Sequence, residues 1–347
     1  MSLHDPLAAR KPRRLGLYLP FILLLLAAVA WTVFWLWTRG EVQKRMDVAA
    51  ADLGRAGYQL SWSRRTLGGY PFRMDVSLTD AQIHDPSGWA LQTPLLEGEA
   101  FLYAPGHWML ATPQGLTFVR PAGGAVTVAG KVIRASLTDF DKRPPSFSIQ
   151  GEGLTFQPAA GASPFALSAA DLFELHLRAG PDDEGGVFAN LAGGKASPGG
   201  LLGRIAAGKP VSLVWNSTLS KMSAFQGADW PDAVRRWADA GGLMTVRDTS
   251  KLTAGDALIA ARSGTLGAGH DGLLRGVMEV GLRQAPRALG AMAQTGAVPT
   301  TAADAASAVA TARQEGDTAR ATLNFEAGQT TLGPVALGPA PRIYTPR

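Results

Sequence analysis

The sequence has 347 residues, with 33 Lys and Arg against 28 Asp and Glu, which gives a net charge of +5. The basic residues are scattered and form no stripe with interleaved aromatic residues, which argues against nucleic-acid binding. The absence of cysteine excludes disulfides, thiolate catalysis, cysteine-ligated metal sites and a lipoprotein anchor. Roughly 300 residues follow the first apolar segment, enough for one large or two ordinary domains with a packed core.

The first apolar segment, residues 15–38, predicts a membrane-spanning helix. It contains 24 residues without a charge, and at about 1.5 Å per residue it crosses a hydrocarbon core of roughly 30 Å. Near its far end Trp31, Trp35 and Trp37 are typical of a membrane interface. A cleavable signal peptide stays open as the alternative, because residues 28–30 (Ala-Val-Ala) resemble a processing site. Cleavage there would leave an exposed apolar terminus.

The flanking charges indicate the orientation of this segment. Basic residues are denser before it than after it, and the tail before it is short, whereas most of the chain follows. We therefore expect an uncleaved signal-anchor, with residues 1–14 in the cytoplasm and the bulk of the chain outside it. The basic residues of the tail close to the segment are Arg10, Lys11, Arg13 and Arg14.

After the span, the pattern predicts a helical stalk and then strands. Residues 41–57 carry apolar side chains at three-to-four spacing and end on a glycine. Apolar and polar residues then alternate in segments 58–63 and 72–79. Joined across Gly68-Gly69, these two segments predict a β-hairpin.

Further short alternating segments predict a mainly β, antiparallel fold with a few covering helices. The 41 glycines and 23 prolines supply many tight turns, and the spacing argues against alternating β-α units. We expect the β-rich region to occupy residues 58–340, with a possible subdivision near 180–210. The other predicted strand segments are 116–119, 125–128, 131–137, 147–149, 154–156, 173–177, 211–215, 257–266, 273–282, 321–325 and 329–337.

Helices are predicted in the second half of the chain. One covers residues 229–240, with Asp229 as its N-cap, and we expect it to cover a sheet. Another covers residues 285–294. Residues 297–320, rich in Ala, Thr and Asp, fit either a surface helix or a linker, of which we favour the helix. Residues 341–347 predict an irregular strap or tail.

Motifs for catalysis or metal binding are incomplete. Residues 203–209 (GRIAAGK) match the start of a phosphate-binding loop, but Pro210 stands where Ser or Thr would hold magnesium. The glycines of residues 267–272 formally match G-x-G-x-x-G, yet they predict a hairpin turn. The acidic segments 139–141 and 182–184 predict solvated turns. We therefore expect no cofactor, metal ligand or catalytic residue, and no enzyme activity, although histidines distant in sequence leave a triad open.

Residues 57–73, GYQLSWSRRTLGGYPFR, carry a Gly-aromatic-Pro-Phe-Arg signature after a Trp-bearing strand. In this signature, and over most of its length, the chain resembles an uncharacterised family of alphaproteobacterial inner-membrane proteins with an N-terminal anchor. More loosely, residues 264–282 and 321–338 are similar to β-rich modules of AsmA-like envelope proteins, which are associated with outer-membrane homeostasis and lipid traffic. The resemblance implies an inner-membrane protein with its bulk in the periplasm, and it implies no established activity.

Four residues in or near the signature are candidate contacts for membrane lipid or a partner protein. Arginine recognises phosphate, so they would meet lipid headgroups near the bilayer. The simpler alternative is a turn that sets the register of the hairpin. Pro71 is expected at a strand start, with Tyr70 and Arg73 on one face and Phe72 on the other. The four candidates are Arg64, Arg65, Tyr70 and Arg73.

These features favour a non-catalytic membrane-anchored protein that binds lipid or another apolar component of the cell envelope. A long antiparallel sheet with one apolar face can form a groove for acyl chains, although the apolar face could also be simple core. The alternative function is a scaffold that binds another envelope protein through an exposed sheet edge. An unrecognised hydrolase is the third possibility.

Overall fold

The computed structural model describes residues 15–140, 144–227 and 229–346 of the chain. The expected cytoplasmic tail with its four basic residues, and Asp141 of the first acidic turn, lie outside the described residues. The helices that the structure describes are α1 Leu15–Arg55, α2 Leu201–Ala206, α3 Trp230–Asp239, α4 Ala285–Gln294 and α5 Thr300–Ala312, with a 3₁₀ turn at Met222–Ala224.

Helix α1 joins the predicted span and the predicted stalk into one helix of 41 residues. At about 1.5 Å per residue it is roughly 61 Å long, about twice the thickness of a hydrocarbon core. By its length and composition, α1 is long enough and apolar enough to cross a membrane. The helix ends at Arg55, and Gly57 follows with a φ of +90°, a conformation that glycine adopts without a steric penalty.

Twenty strands lie within the described ranges. They are β1 Gln59–Ser61, β2 Arg64–Gly68, β3 Arg73–His84, β4 Ala90–Phe101, β5 Trp108–Ala111, β6 Leu116–Arg120, β7 Gly124–Ala129, β8 Val132–Thr138, β9 Ser146–Pro158 and β10 Leu167–Ala179. The second half contains β11 Gly185–Ala196, β12 Val211–Leu219, β13 Met244–Val246, β14 Lys251–Ala254, β15 Ala257–Ala268, β16 Leu274–Arg283, β17 Gln314–Glu315, β18 Thr318–Glu326, β19 Gln329–Leu332 and β20 Val335–Pro339. Every predicted strand segment overlaps one of these strands.

The strands form one continuous antiparallel sheet in which strands close in the chain are paired. Strand β3 pairs with β4, and from β9 to β12 each strand pairs with the next one along the chain. The sheet therefore passes without a break through residues 180–210. The mainly β, antiparallel fold with an N-terminal helix and a few further helices is confirmed.

The second predicted hairpin is present, and the first is present with a different first strand, because β2, residues 64–68, lies across the turn from β3 in place of the predicted segment 58–63. Strands β2 and β3 pair from Gly68 with Asp75 to Arg64 with Thr79. Strand β1 extends the same edge, since Leu60 pairs with Ile83 near the far end of β3. Strands β15 and β16 form the second hairpin around the turn at residues 269–272.

The core lies between the sheet and its covering helices. Helices α4 and α5 pack on the second half of the sheet through Leu289 and Ala306, against Val280 of β16. The predicted helix at residues 229–240 is α3, and the Asp229 side chain accepts a hydrogen bond from the Asp232 amide at 2.9 Å, as an N-cap should.

The favoured helix within residues 297–320 is α5, but its environment differs from the expected surface helix. Ala303, Ala306 and Ala310 are buried, so one side of the helix packs against the core. The rest of that segment forms β17 and the start of β18. A stripe of alanine lets a helix approach a sheet closely because its side chains are small.

The proline-rich C-terminus is a strap. Tyr344 is buried, and its hydroxyl donates to the carbonyl of Gly269 at 3.0 Å. Gly272, with a φ of +75°, lies under the strap, and a Cβ there would clash with the Tyr344 carbonyl oxygen. The strap therefore closes over the turn between β15 and β16.

Candidate functional site

The turn between β2 and β3, residues 69–73, is held against α1 and is called here the hairpin tip. The indole Nε1 of Trp31 donates to the Pro71 carbonyl at 2.7 Å, and that of Trp35 donates to the Arg73 carbonyl at 2.9 Å. Both tryptophans belong to the apolar segment of α1. The hairpin tip therefore lies beside the last turns of the predicted span.

Aromatic side chains surround the hairpin tip. The Tyr70 ring meets the Trp35 ring edge to face, with ring centres 5.6 Å apart, and the Tyr70 hydroxyl lies 2.9 Å from the Thr32 hydroxyl. The Phe72 ring lies 6.1 Å from the Trp31 ring and is 62 % exposed. Tyr70 and Phe72 thus both contact α1, which differs from the opposite faces expected of a regular strand, because these residues form a turn.

A second exposed aromatic pair lies next to the hairpin tip. Phe101 is the strand partner of Arg73 in β4, and its ring stacks on Tyr103 with centres 5.0 Å apart. Tyr103 is 75 % exposed. Aromatic side chains with a polar edge are typical of the level where a membrane meets water.

The candidate arginines have carboxylate partners within the chain. The Arg73 guanidinium lies 3.1 Å from Glu99 and 3.4 Å from Asp75. Arg65 lies 2.7 Å from Asp47 of α1, and its guanidinium is 5.5 Å from the centre of the Trp62 ring. The Arg65 side chain is only 14 % exposed, so it ties the hairpin to the helix.

The structure does not bring the four candidates into one cluster. Asp47, the partner of Arg65, is about 18 Å along the helix axis from Trp35, which contacts Tyr70. Arg64 begins β2 opposite Thr79, at the end away from the hairpin tip. Tyr70 and Arg73 lie together at the tip, while Arg64 and Arg65 lie near the second half of α1.

The second candidate site is an apolar cavity of about 360 Å³ between the sheet and two covering helices. Its walls come from α2 and α4, and its floor comes from β14, β15, β16 and the C-terminal strands. A ligand pocket of a few hundred Å³ lined by apolar side chains is the usual form of a small-molecule site. Lining residues include Leu202, Ile205, Ala288, Leu289, Met292 and Phe325.

Arg283 is the charged residue of this lining and its side chain is 37 % exposed, so the edge of the cavity at Arg283 is called here the mouth, and other charged residues lie beside it. Lys209, after α2, places its amine 2.6 Å and 2.8 Å from the two carboxylate oxygens of Asp256. This hydrogen bond and the charge of Lys209 lower the pKa of the Asp256 carboxyl below its usual value, with a smaller contribution from Arg287. No local sequence pattern indicates the cavity or its mouth, because Lys209, Asp256 and Arg287 are far apart in the chain.

The rejected motifs have structural roles. Residues 203–209 contain the end of α2 rather than a phosphate loop. In the acidic segment 182–184, the Asp183 carboxylate accepts hydrogen bonds from the amide and hydroxyl of Ser223. His176 Nδ1 lies 2.8 Å from the Ser148 hydroxyl, across a regular pair of residues in β9 and β10. Within the described ranges, no group of three His, Cys, Asp or Glu side chains is placed to hold a metal ion.

Comparison of the sequence with known proteins assigns the chain to one protein family. No curated protein matches the chain, and no solved structure matches it. The family described as "Uncharacterized protein conserved in bacteria (DUF2125)" matches residues 35–341. The match begins at Trp35, one of the two tryptophans that bind the hairpin tip, and ends within the C-terminal strap. The chain therefore belongs to this bacterial family of uncharacterized proteins.

Proposed function

We propose that the chain is a single-pass inner-membrane protein whose periplasmic β-rich region binds lipid or another apolar component of the cell envelope, without catalysis. The observation that carries the proposal is the apolar cavity of about 360 Å³ between the sheet, α2 and α4. An unfilled apolar space of this size loses packing energy, whereas an acyl chain would restore those contacts.

The charge pattern and the long helix support the proposed topology. Helix α1 is long and apolar enough to cross a membrane, and the basic residues of the N-terminal tail favour the cytoplasmic side. The sheet would then lie in the periplasm, attached to the bilayer by α1.

The hairpin tip extends the proposal to the membrane surface. Tyr70 and Phe72 contact the last turns of the apolar segment and remain exposed, so they would lie among lipid headgroups. Arg73 would contribute a cation at the same level, although Glu99 and Asp75 offset its charge. Arg64 and Arg65 lie away from the hairpin tip, near the second half of α1, and would contribute less to the contact with lipid headgroups.

Photo-cross-linking tests the cavity. The full-length protein is placed in phosphatidylcholine nanodiscs with a palmitic acid analogue that carries a diazirine in its chain, and cross-linked peptides are identified by mass spectrometry. We expect labels on α2 and α4, at residues such as Ile205 and Met292 that line the cavity. Labels confined to α1 and the hairpin tip would mean ordinary contact with bilayer lipid and would overturn cavity binding.

A cavity-filling variant provides the matched control. Ala288 lines the cavity, so Ala288→Trp should occupy it and abolish the α2 and α4 labels, and Ala288→Leu should reduce them. Ala308 is exposed on α5, so Ala308→Trp adds the same indole without filling the cavity. Equal labelling in Ala288→Trp and Ala308→Trp would contradict the proposal.

The alternative is a scaffold that binds an envelope protein through a sheet edge. Among the described strands, β20 pairs with β19 alone, so its other side is the edge that an added strand would use. Capture of one defined partner by the wild-type protein, lost when Ala336→Pro disrupts this edge, would favour the scaffold. Cavity labelling would be unaffected by that substitution.

A further inference from the structure

The cavity mouth carries more positive than negative charge. Three cationic side chains and two carboxylates meet around the turn between β14 and β15 and the start of α4. Asp256 forms its close contacts with Lys209, at 2.6 Å and 2.8 Å. One net positive charge is left at the mouth of an apolar space. The five groups are Lys209, Arg283, Arg287, Asp256 and Asp317.

The two arginines at the mouth form only long ion pairs, although Nε of Arg283 also donates a hydrogen bond to the Asp256 carbonyl at 3.1 Å. Arg283 lies 3.6 Å from Asp317, and Arg287 lies 3.9 Å from Asp256, both longer than a close charged hydrogen bond. The side chains of Arg283 and Arg287 are about 40 % exposed, so the terminal nitrogens of their guanidinium groups are accessible to a bound anion. Arg287 also lies in the first turn of α4, where the helix dipole disfavours a cation unless an anion is nearby.

Arg283 joins this charge to the apolar space, because its side chain lines the cavity itself. At the other end the cavity is lined by Phe325, whose strand partner in β16 is Gly276. At about 3.3 Å of rise per residue, Gly276 and Arg283 are roughly 23 Å apart along β16. The lining residues therefore extend over roughly this length of the sheet, with an arginine at one end.

We infer that the cavity binds a fatty acid, with the single acyl chain inside and the carboxylate held by Arg283 and Arg287. The inference rests on the proposed lipid binding and adds the chemical class of the lipid. The planar guanidinium matches a carboxylate in geometry and charge. Because Arg283 lines the cavity, the anion lies directly at the end of the chain, without a glycerol group between them.

Competition against the diazirine analogue tests the head group. The full-length protein in phosphatidylcholine nanodiscs is labelled in the presence of palmitate, hexadecanol or palmitoyl lysophosphatidate. We expect palmitate to suppress the α2 and α4 labels at the lowest concentration. Replacing both arginines, Arg283→Gln with Arg287→Gln, should weaken competition by palmitate about tenfold and leave hexadecanol unchanged, since only the charged hydrogen bonds are lost.

The matched control is Arg235→Gln on α3, which removes an exposed arginine paired with Asp232 at 2.6 Å. In the Arg235→Gln variant, the strength of competition by palmitate relative to competition by hexadecanol should be the same as in the wild-type protein. A ratio that is also unchanged in the double variant would overturn the head-group inference, while cavity labelling would still support lipid binding. Stronger competition by lysophosphatidate would overturn the fatty-acid assignment. Absence of cavity labels in the wild-type protein would overturn both proposals.

Discussion

At the scale of single residues, two indole N–H groups connect α1 to the sheet. Trp35→Phe keeps an aromatic ring but removes the hydrogen bond to the Arg73 carbonyl at 2.9 Å. We expect a loss of about 1 kcal/mol in the stability of this contact, the usual net value of one hydrogen bond. Hydrogen exchange measured by mass spectrometry should be faster at residues 72–74. Trp37→Phe is the control, since Trp37 is 64 % exposed, and equal exchange in both variants would contradict the prediction.

Tyr344 predicts a change in stability at alkaline pH. Burial, and then the charge of Asp239, raise the pKa of its hydroxyl above the usual value of about 10. The unfolded protein then loses the phenolic proton first, so the stability from this group is present below about pH 10 and falls as pH rises further. The free energy of unfolding should decrease less steeply above pH 10 in Tyr344→Phe than in the wild-type protein. Parallel pH profiles from urea unfolding would refute this role.

At the scale of secondary-structure elements, α5 depends on small side chains. Ala306 is 0 % exposed between α5 and the sheet. Ala306→Leu should lower the free energy of unfolding by about 1–3 kcal/mol, because the larger side chain overpacks a tight interface. Ala305→Leu, on the exposed side of the same helix, should change it little. Thermal unfolding of both variants measures the difference, and similar midpoints would show that the interface is loose.

The elements differ in how well local sequence predicts them. Helix α4 has the predicted bounds, and α3 was recognised by its N-cap at Asp229, because start and stop signals are local. The role of α5 was ambiguous, since alanine gives little contrast between a buried and an exposed face. The alternation pattern predicts no strand at β2, β4, β5, β11, β13, β14 or β17. In the two longest of these, β4 contains Pro94 and two glutamates, and β11 contains four glycines, all unfavourable for a strand pattern. Their neighbours in the sheet stabilise them.

At the scale of the whole molecule, the proposed topology predicts which side of the membrane holds the C-terminus. Alkaline phosphatase fused after Arg347 should be active, because it folds only outside the cytoplasm, and a fluorescent protein fused there by the same route should be dark. The physical reason is the basic tail before α1, which favours the cytoplasmic side. The reverse pattern of activity would overturn both the topology and the periplasmic role.

The fold class was predictable from alternation of apolar and polar residues, but the candidate site was not. The hairpin was predicted from residues 58–79, yet its docking on Trp31 and Trp35 joins segments almost forty residues apart through side-chain N–H groups. The cavity combines residues from two helices and several strands. Such a space exists only after the helices pack on the sheet, so no short segment encodes it.

The pairing of strands that are close in the chain also has a consequence for assembly. Most strands pair with a strand one to three places along the chain, so the entropy of loop closure is small at most steps, and the pairing of β16 with β18 across α4 and α5 closes a longer segment. The first hairpin is the one that Trp31 and Trp35 hold to α1. We therefore expect the sheet to begin at α1 and to extend from the first hairpin toward the C-terminus, so that α1 serves as the template on which folding starts.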